Sequence, residues 1–141
     1  MTDGIIADET GAQRLIGYVL DVGRGDGRAR CHLDLGQAHM NRHGVMHGGV
    51  GVAVLDNAMG VTASLTVDPA GRAPFLTVSL NVQFMAPARA GMRVTATGRV
   101  AGGGRQLLFV EGTLRDEEGG VIAAATGVFK RVPQDRVPGA E

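Results

Sequence analysis

Apolar residues along the chain change from a period of two to a helical period and back again. Residues 15–22 and 28–35 predict two strands, and in the second Cys31 and Leu33 alternate with polar neighbours, as in a half-buried strand. Between His47 and Val67 apolar residues recur at helical spacing and cover nearly the whole circumference, which predicts a long buried helix. Four further strands are predicted over residues 75–85, 92–100, 106–115 and 121–132.

This order of elements favours an α+β fold in which a mainly antiparallel sheet of five to six strands wraps one long buried central helix. A chain of 141 residues suits one domain. We expect that domain over residues 14–132. An N-terminal leader, residues 1–13, that turns helical near Gly11–Leu15 precedes it, and a flexible C-terminal tail, residues 133–141, follows.

Charge and cysteine content narrow the class of protein. The chain has 14 Lys and Arg residues together and 14 Asp and Glu residues together. This balance argues against a nucleic-acid partner, because proteins that bind nucleic acids normally carry an excess of basic residues. Cys31 is the only cysteine, so the chain has no intrachain disulfide and no cysteine-based zinc site. The N-terminus lacks a signal-peptide pattern, and the chain lacks an uninterrupted apolar run of roughly 18 residues. A cytoplasmic location without a membrane partner is the expectation.

The predicted helix begins at His47-Gly48-Gly49. The first N–H groups of a helix have no partner inside the helix, and glycine lets a ligand approach them closely. Such a donor suits a carbonyl oxygen that becomes negatively charged during acyl transfer. The alternative interpretation is that the two glycines only let the helix start pack closely under the sheet.

Asp56 stands in the middle of the apolar helix, between Leu55 and Asn57. An unpaired buried carboxylate is costly, and burial raises the pKa of such a group, which suits acid–base or nucleophilic chemistry. The alternative is a carboxylate that an arginine or a loop backbone satisfies.

Gly48 and Asp56 are eight residues apart, so one helix separates them by about 12 Å along its axis and about 80° around it. Both cannot contact one carbonyl group. If both are catalytic, they come from two copies of the chain, and a two-fold dimer with two equivalent sites is the simplest arrangement.

Other sites fit the sequence less well. His39, His43 and His47 recur every four residues, but the stretch between them has the composition of a loop, and we predict no metal site. Neither Ser64 nor Ser79 stands in a G-x-S-x-G turn, which argues against a serine triad. The glycine-rich segments also lack a complete dinucleotide-binding pattern.

Asn41, His47-Gly48-Gly49 and Asp56-Asn57, followed by the run TVSLNVQFMAP at 77–87, resemble the phenylacetate-pathway (PaaI-type) branch of the hotdog thioesterases. The resemblance spans roughly residues 15–131 and implies hydrolysis of an acyl- or aryl-CoA thioester to the free acid and CoA. It implies no cofactor and an assembly of dimers into a homotetramer. The alternatives in the same fold are a non-catalytic acyl-CoA-binding protein and a hydratase or dehydratase.

The resemblance also implies a role for each matching residue. Asp56 activates water or attacks the thioester, Gly48 donates to the oxyanion, Asn41 holds the water or carbonyl, and Thr77 bonds the water. His47 organises the loop. The residues expected to contact the acyl group or CoA are Met46, Gly49, Met59, Phe84, Arg89 and Arg105.

Overall fold

The computed structural model describes residues 3–133 and residue 135. Within that part of the chain the elements are β1 Ile5–Ile6, α1 Gly11–Ile16, β2 Val19–Asp21, β3 Arg30–Asp34, α2 Gly48–Leu65, β4 Phe75–Phe84, β5 Arg93–Gly103, β6 Leu107–Arg115 and β7 Val121–Arg131. The strands form one antiparallel sheet in the order β1-β2-β3-β5-β6-β7-β4. This architecture confirms the predicted hotdog fold, with seven strands rather than five to six.

Helix α2 provides the centre of the hydrophobic core. Val54, Leu55, Ala58 and Met59 are fully buried, and the helix contacts β3, β4, β5, β6 and β7. In the described chain α2 is the one helix with the length and hydropathy of a membrane span, but its apolar side is covered by the sheet. The other side, which carries Asp56, is only half-buried.

Glycines let α2 approach the sheet closely. Gly98 on β5 pairs with Gly112 on β6. A Cβ atom on Gly98 would lie 2.9 Å from the carbonyl oxygen of Ala58, and one on Gly112 would lie 2.6 Å from Sδ of Met59. Both distances are too short for a real side chain, so the separation of helix and sheet depends on these two residues.

The buried hydroxyl of Thr62, which lies against Gly98, joins α2 to the start of β3. Thr62 Oγ1 donates to the carbonyl oxygen of Ala58 at 2.7 Å and accepts from the N–H of Ala29, just before β3, at 3.0 Å. Thr62 is fully buried, so both bonds are shielded from water. The second of these bonds gives the backbone N–H of Ala29 an acceptor that it would otherwise lack.

The N-terminal region differs from the prediction at two points. The expected helix is α1, capped by Thr10 and ended by Gly17 at a φ of 96°. The strand predicted over residues 15–22 therefore begins only at Val19, because the helix takes its first residues. The predicted leader also contributes β1, whose Ile6 carbonyl oxygen accepts from the buried Gln13 side chain. Apart from residues 133 and 135, the predicted tail lies outside the described residues.

Strand β4 is the last strand of the sheet and pairs with β7 alone among the described strands. It is ten residues long. Exposed large apolar side chains lie on it or directly after it: Leu76, Val78, Phe84 and Met85. A long apolar edge of this kind is a surface that can pair with another chain.

Candidate active site

The first turn of α2 presents a backbone donor at its surface. His47 is the N-cap, and its Nδ1 accepts from the N–H of Gly49 at 2.9 Å. The N–H of Gly48 has no acceptor among the residues that the structure describes. The histidine therefore satisfies the second glycine, and the first is the one with a donor for a ligand.

Phe84, at the end of β4, lies beside this helix start. A Cβ atom on Gly48 would be 3.6 Å from the Phe84 ring, and one on Gly51 would be 3.2 Å from it. The ring is 49% exposed, so it forms a surface next to the Gly48 N–H. Met46 packs against Gly51 from the interior and is buried.

Asp56 lies two turns further along α2, on the half-buried side of the helix. Its Oδ1 accepts a hydrogen bond of 2.6 Å from Oγ1 of Thr77 on β4. This bond fixes the direction of the carboxylate. It also joins two of the predicted site residues, which are 21 positions apart in the sequence.

An irregularity in β4 explains how Thr77 reaches the helix. Thr77 is opposite Phe129 on β7, whereas Ser79 is opposite Val128, so Val78 is an extra residue in the ladder. Residues opposite each other share a face of the sheet, and Phe129 is buried in the core. Thr77 therefore shares the helix-facing side of β4, and the bulge reverses the alternation between it and Ser79.

Beyond Asp56 and Thr77 a cavity of about 220 Å³ extends along α2. Its walls are Asp56, Asn57, Gly60, Val61, Ser64, Gly71, Ala73, Pro74, Phe75 and Thr77. The segment after α2 folds back to form one of these walls. Asp68 accepts from the N–H groups of Ala70 and Arg72, and Gly71, at a φ of 70°, lies against Val61.

Asn41 organises the loop that precedes α2. Its Oδ1 accepts from the N–H of His43 at 2.9 Å and of Val45 at 3.3 Å. The side-chain carbonyl thus holds the loop in shape, which leaves its amide group as the part able to contact a ligand. The predicted contact of Asn41 with water or substrate stays a prediction.

The remaining predicted residues lie away from the cavity. Met59 is fully buried and packs against Gly112, so it belongs to the core. Arg89 and Arg105 are exposed in the loops on either side of β5, and their contact with CoA stays a prediction. Cys31 is fully buried, and burial raises the pKa of its thiol to about 12, which makes it unsuited to act as a nucleophile.

The structure thus brings Asp56 and Thr77 together at one place and Gly48 and Phe84 together at another. Gly48 does not line the cavity beside Asp56. Sequence reasoning missed Ser64 as a cavity residue. The signal was its position, since Asp56, Gly60 and Ser64 recur every four residues and lie along one side of α2.

These groups match the needs of acyl transfer. A carboxylate held by a hydroxyl can activate water or attack a carbonyl carbon, and an unpaired N–H at a helix start can bind the oxygen that gains charge. The 12 Å or so of helix between them prevents one carbonyl group from contacting both within a single chain.

Comparisons with known proteins agree with this chemistry. The family model of the thioesterase superfamily matches residues 43–123. Human acyl-coenzyme A thioesterase 13 is 29% identical over 112 residues, which cover 79% of this chain and 78% of the relative. The solved structure of zebra fish thioesterase superfamily member 2 is 25% identical in sequence and has a TM-score of 0.73. The match covers 89% of this chain and 89% of that one.

The PaaI protein from the phenylacetic acid degradation operon of E. coli shares the fold. Its TM-score is 0.76 at 19% sequence identity, over 89% of this chain and 87% of that one. The family match covers the helix start, Asp56 and Thr77 alike. The chain has the fold of the E. coli PaaI protein and belongs to the thioesterase superfamily.

Proposed function

We propose that the protein hydrolyses an acyl-CoA thioester to the free acid and CoA, at a site that two copies of the chain share. The observation that carries the proposal is the Thr77–Asp56 hydrogen bond in the wall of the cavity, which fixes a carboxylate beside a space of about 220 Å³. Relatives named acyl-coenzyme A thioesterase support the choice of substrate.

The reaction needs only the thioester, water and groups of this chain. Water adds to the carbonyl carbon, the carbon–sulfur bond breaks, and the thiolate of CoA leaves and takes up a proton. Asp56 accepts the proton of the attacking water, or it attacks the carbonyl itself and water then cleaves the resulting anhydride. In a single turnover in ¹⁸O-labelled water the first route places the label in the product acid, whereas attack of water on the aspartyl carbon of the anhydride places the label in the Asp56 carboxylate, so label found in Asp56 identifies the second route.

Gly48 of a second copy supplies the oxyanion donor in this proposal. The helical distance separates Gly48 from Asp56 in one chain. Strand β4 has an edge that no other described strand pairs with, and its exposed Leu76 and Val78 are available to a second copy. Phe84, also on that strand, lies next to Gly48. The same edge therefore lies close to both halves of the site.

Release of thiol from a panel of acyl-CoAs tests the carboxylate. We expect Asp56→Asn to lower kcat/KM by about 100-fold or more, because the amide can neither accept a proton nor attack. Asp34→Asn, an exposed carboxylate on β3, is the control and should keep wild-type activity. Equal rates for wild type and Asp56→Asn would overturn the mechanism.

Gly48 permits a test of the oxyanion donor that keeps the helix. Proline at the first helical position lacks the N–H but fits the geometry there, and His47 already has the extended conformation that precedes proline, with ψ at 131°. Gly48→Pro should lose about 100- to 1000-fold in rate. Gly48→Ala keeps the N–H and places its methyl in ordinary contact with Phe84, so it should lose far less activity than Gly48→Pro.

Mixing the two inactive variants tests whether the site is shared. A hybrid dimer of Gly48→Pro and Asp56→Asn has one site with both changes and one with neither. Random reassembly of equal amounts should restore about one quarter of wild-type activity. If each chain holds a complete site, the mixture stays inactive, and the dimer part of the proposal is wrong.

A homotetramer is part of the same proposal. The face of the sheet opposite α2 exposes Leu107 and Phe109 on β6, which gives two dimers an apolar surface on which to associate. Sedimentation at working concentration checks the assembly. We expect the Phe109→Lys variant to sediment as a dimer and to keep its activity.

A further inference from the structure

A residue in the wall of the cavity next to Asp56 carries a covered hydroxyl that nothing in the described chain uses. Ser64 forms part of its wall and is 2% exposed. Its Oγ has no hydrogen-bond partner and is the one buried side-chain oxygen or nitrogen of the described residues in that state. Buried hydroxyls nearly always have a hydrogen-bond partner, so the missing partner of Ser64 indicates a group that the chain itself does not supply.

Neighbouring hydroxyls on the same helix show that a partner was within reach. A helical serine or threonine usually bonds the carbonyl oxygen one turn before it. Thr62 bonds Ala58 in this way, and Thr66 bonds the carbonyl oxygen of Ala63. Ser64 lies between them and makes no such bond. Its hydroxyl has no hydrogen bond to break when it turns toward a ligand.

The position of Ser64 sets the size of the ligand. Ser64 follows Asp56 by eight residues, or about 12 Å along the helix. About 3 Å at each end goes to the contacts with Asp56 and with Ser64, which leaves about 6 Å. A straight acyl chain of about six carbons spans that length. The cavity of about 220 Å³ has room for such a chain.

The walls also set the charge of the ligand. Asp56 is the one charged residue among those lining the cavity, and it is a carboxylate. Gly71, Ala73, Pro74 and Phe75 supply no basic group that would stabilise an anionic chain end. A neutral group that forms a hydrogen bond therefore fits this end of the cavity better than an anionic one.

We propose that Ser64 is a specificity-determining residue, which binds a hydroxyl or carbonyl group at the far end of an acyl chain of about six carbons. This inference rests on the proposed thioesterase function. The substrate class is a medium-length acyl-CoA with a neutral polar group at its end. Gly60, halfway along the row from Asp56 to Ser64, is part of the same cavity wall.

Hexanoyl-CoA and 6-hydroxyhexanoyl-CoA form a matched pair for the test. We expect wild type to favour the hydroxylated substrate by about tenfold or more in kcat/KM. Ser64→Ala should lose that preference by losing activity on the hydroxylated substrate alone. Thr66→Ala removes a hydroxyl that the helix already uses and should keep the wild-type ratio. Equal kcat/KM values in wild type, or a preference that persists in Ser64→Ala, would overturn the role of Ser64.

A binding measurement separates this inference from the proposed function. The stable thioethers S-hexyl-CoA and S-(6-hydroxyhexyl)-CoA can be compared by calorimetry, since neither can be hydrolysed. If no acyl-CoA is hydrolysed, the proposed function fails, and the ratio of the two Kd values still decides on Ser64. A ratio of one in wild type contradicts the inference, and a ratio that falls to one only in Ser64→Ala supports it. The Ser64→Ala protein should keep its Tm, because alanine suits the helix and removes an unpaired group.

Discussion

The two sides of α2 differ in how they use their hydroxyl groups. On the side that packs against the sheet the hydroxyl of Thr62 has hydrogen-bond partners, whereas on the side that faces the cavity the hydroxyl of Ser64 has none among the described residues. Thr62 uses its hydroxyl as donor and acceptor, and Gly98 and Gly112 let the helix come close. Among the described residues Asp56 is half-buried and accepts one side-chain hydrogen bond, from Thr77, and Ser64 is buried without a hydrogen bond to its hydroxyl. The first side is built for stability, and the second keeps groups available for a ligand.

The close approach at Gly98 should give the largest effect on stability. Gly98→Ala places a methyl against the carbonyl oxygen of Ala58 and the side chain of Thr62, so helix and sheet must move apart. We expect a loss of about 3 kcal/mol in the free energy of unfolding, measured by denaturant titration. Gly102→Ala, with open space around it, should change that free energy by no more than about 0.5 kcal/mol. A similar small change for both variants would contradict the close packing.

The hydroxyl of Thr62 should give the next largest effect. Thr62→Val keeps the shape but leaves the N–H of Ala29 without an acceptor, which should cost about 2 kcal/mol. Thr62→Ser keeps both hydrogen bonds and loses one methyl group, which should cost about 1 kcal/mol. Thermal and urea unfolding of the two variants gives their order. A valine variant more stable than the serine variant would mean that the hydroxyl contributes little.

On the cavity side the effect on stability should be the smallest. Asp56→Asn should leave the free energy of unfolding within about 1 kcal/mol of wild type, because a half-buried carboxylate with one partner contributes little to the fold. The variant should therefore lose its activity and keep its stability. Parallel unfolding and activity measurements check this. A large loss of stability in Asp56→Asn would show that the two sides of the helix are not separate in purpose.

The sequence predicted the elements that long patterns specify. α2 was expected over 47–67 and spans Gly48–Leu65, and the second-half strands begin within a residue or so of their predicted starts. Strand β1 was missed because two residues carry no periodic signal. The start of β2 was misplaced because Gly17 ends a short helix inside an apolar run that also fits a strand.

Of the candidate site, the sequence could predict the glycines of the helix start and the unusual place of Asp56. It could not predict the contact with Thr77 from alternation, because the bulge at Val78 reverses the phase of β4 between Thr77 and Ser79. Nor could it show that Ser64 lacks a partner, since that depends on the whole fold around it. Met46 and Met59 look like pocket residues by type, but both lie in the core.

The helical distance between Gly48 and Asp56 has a consequence for how the protein responds to its own abundance. If two copies complete each site, the number of complete sites follows the dimerisation equilibrium rather than the number of chains. Activity per chain then falls on dilution below the dimer dissociation constant and is constant well above it. The amount of protein made in a cell would set not only how much catalyst is present but also what fraction of it works.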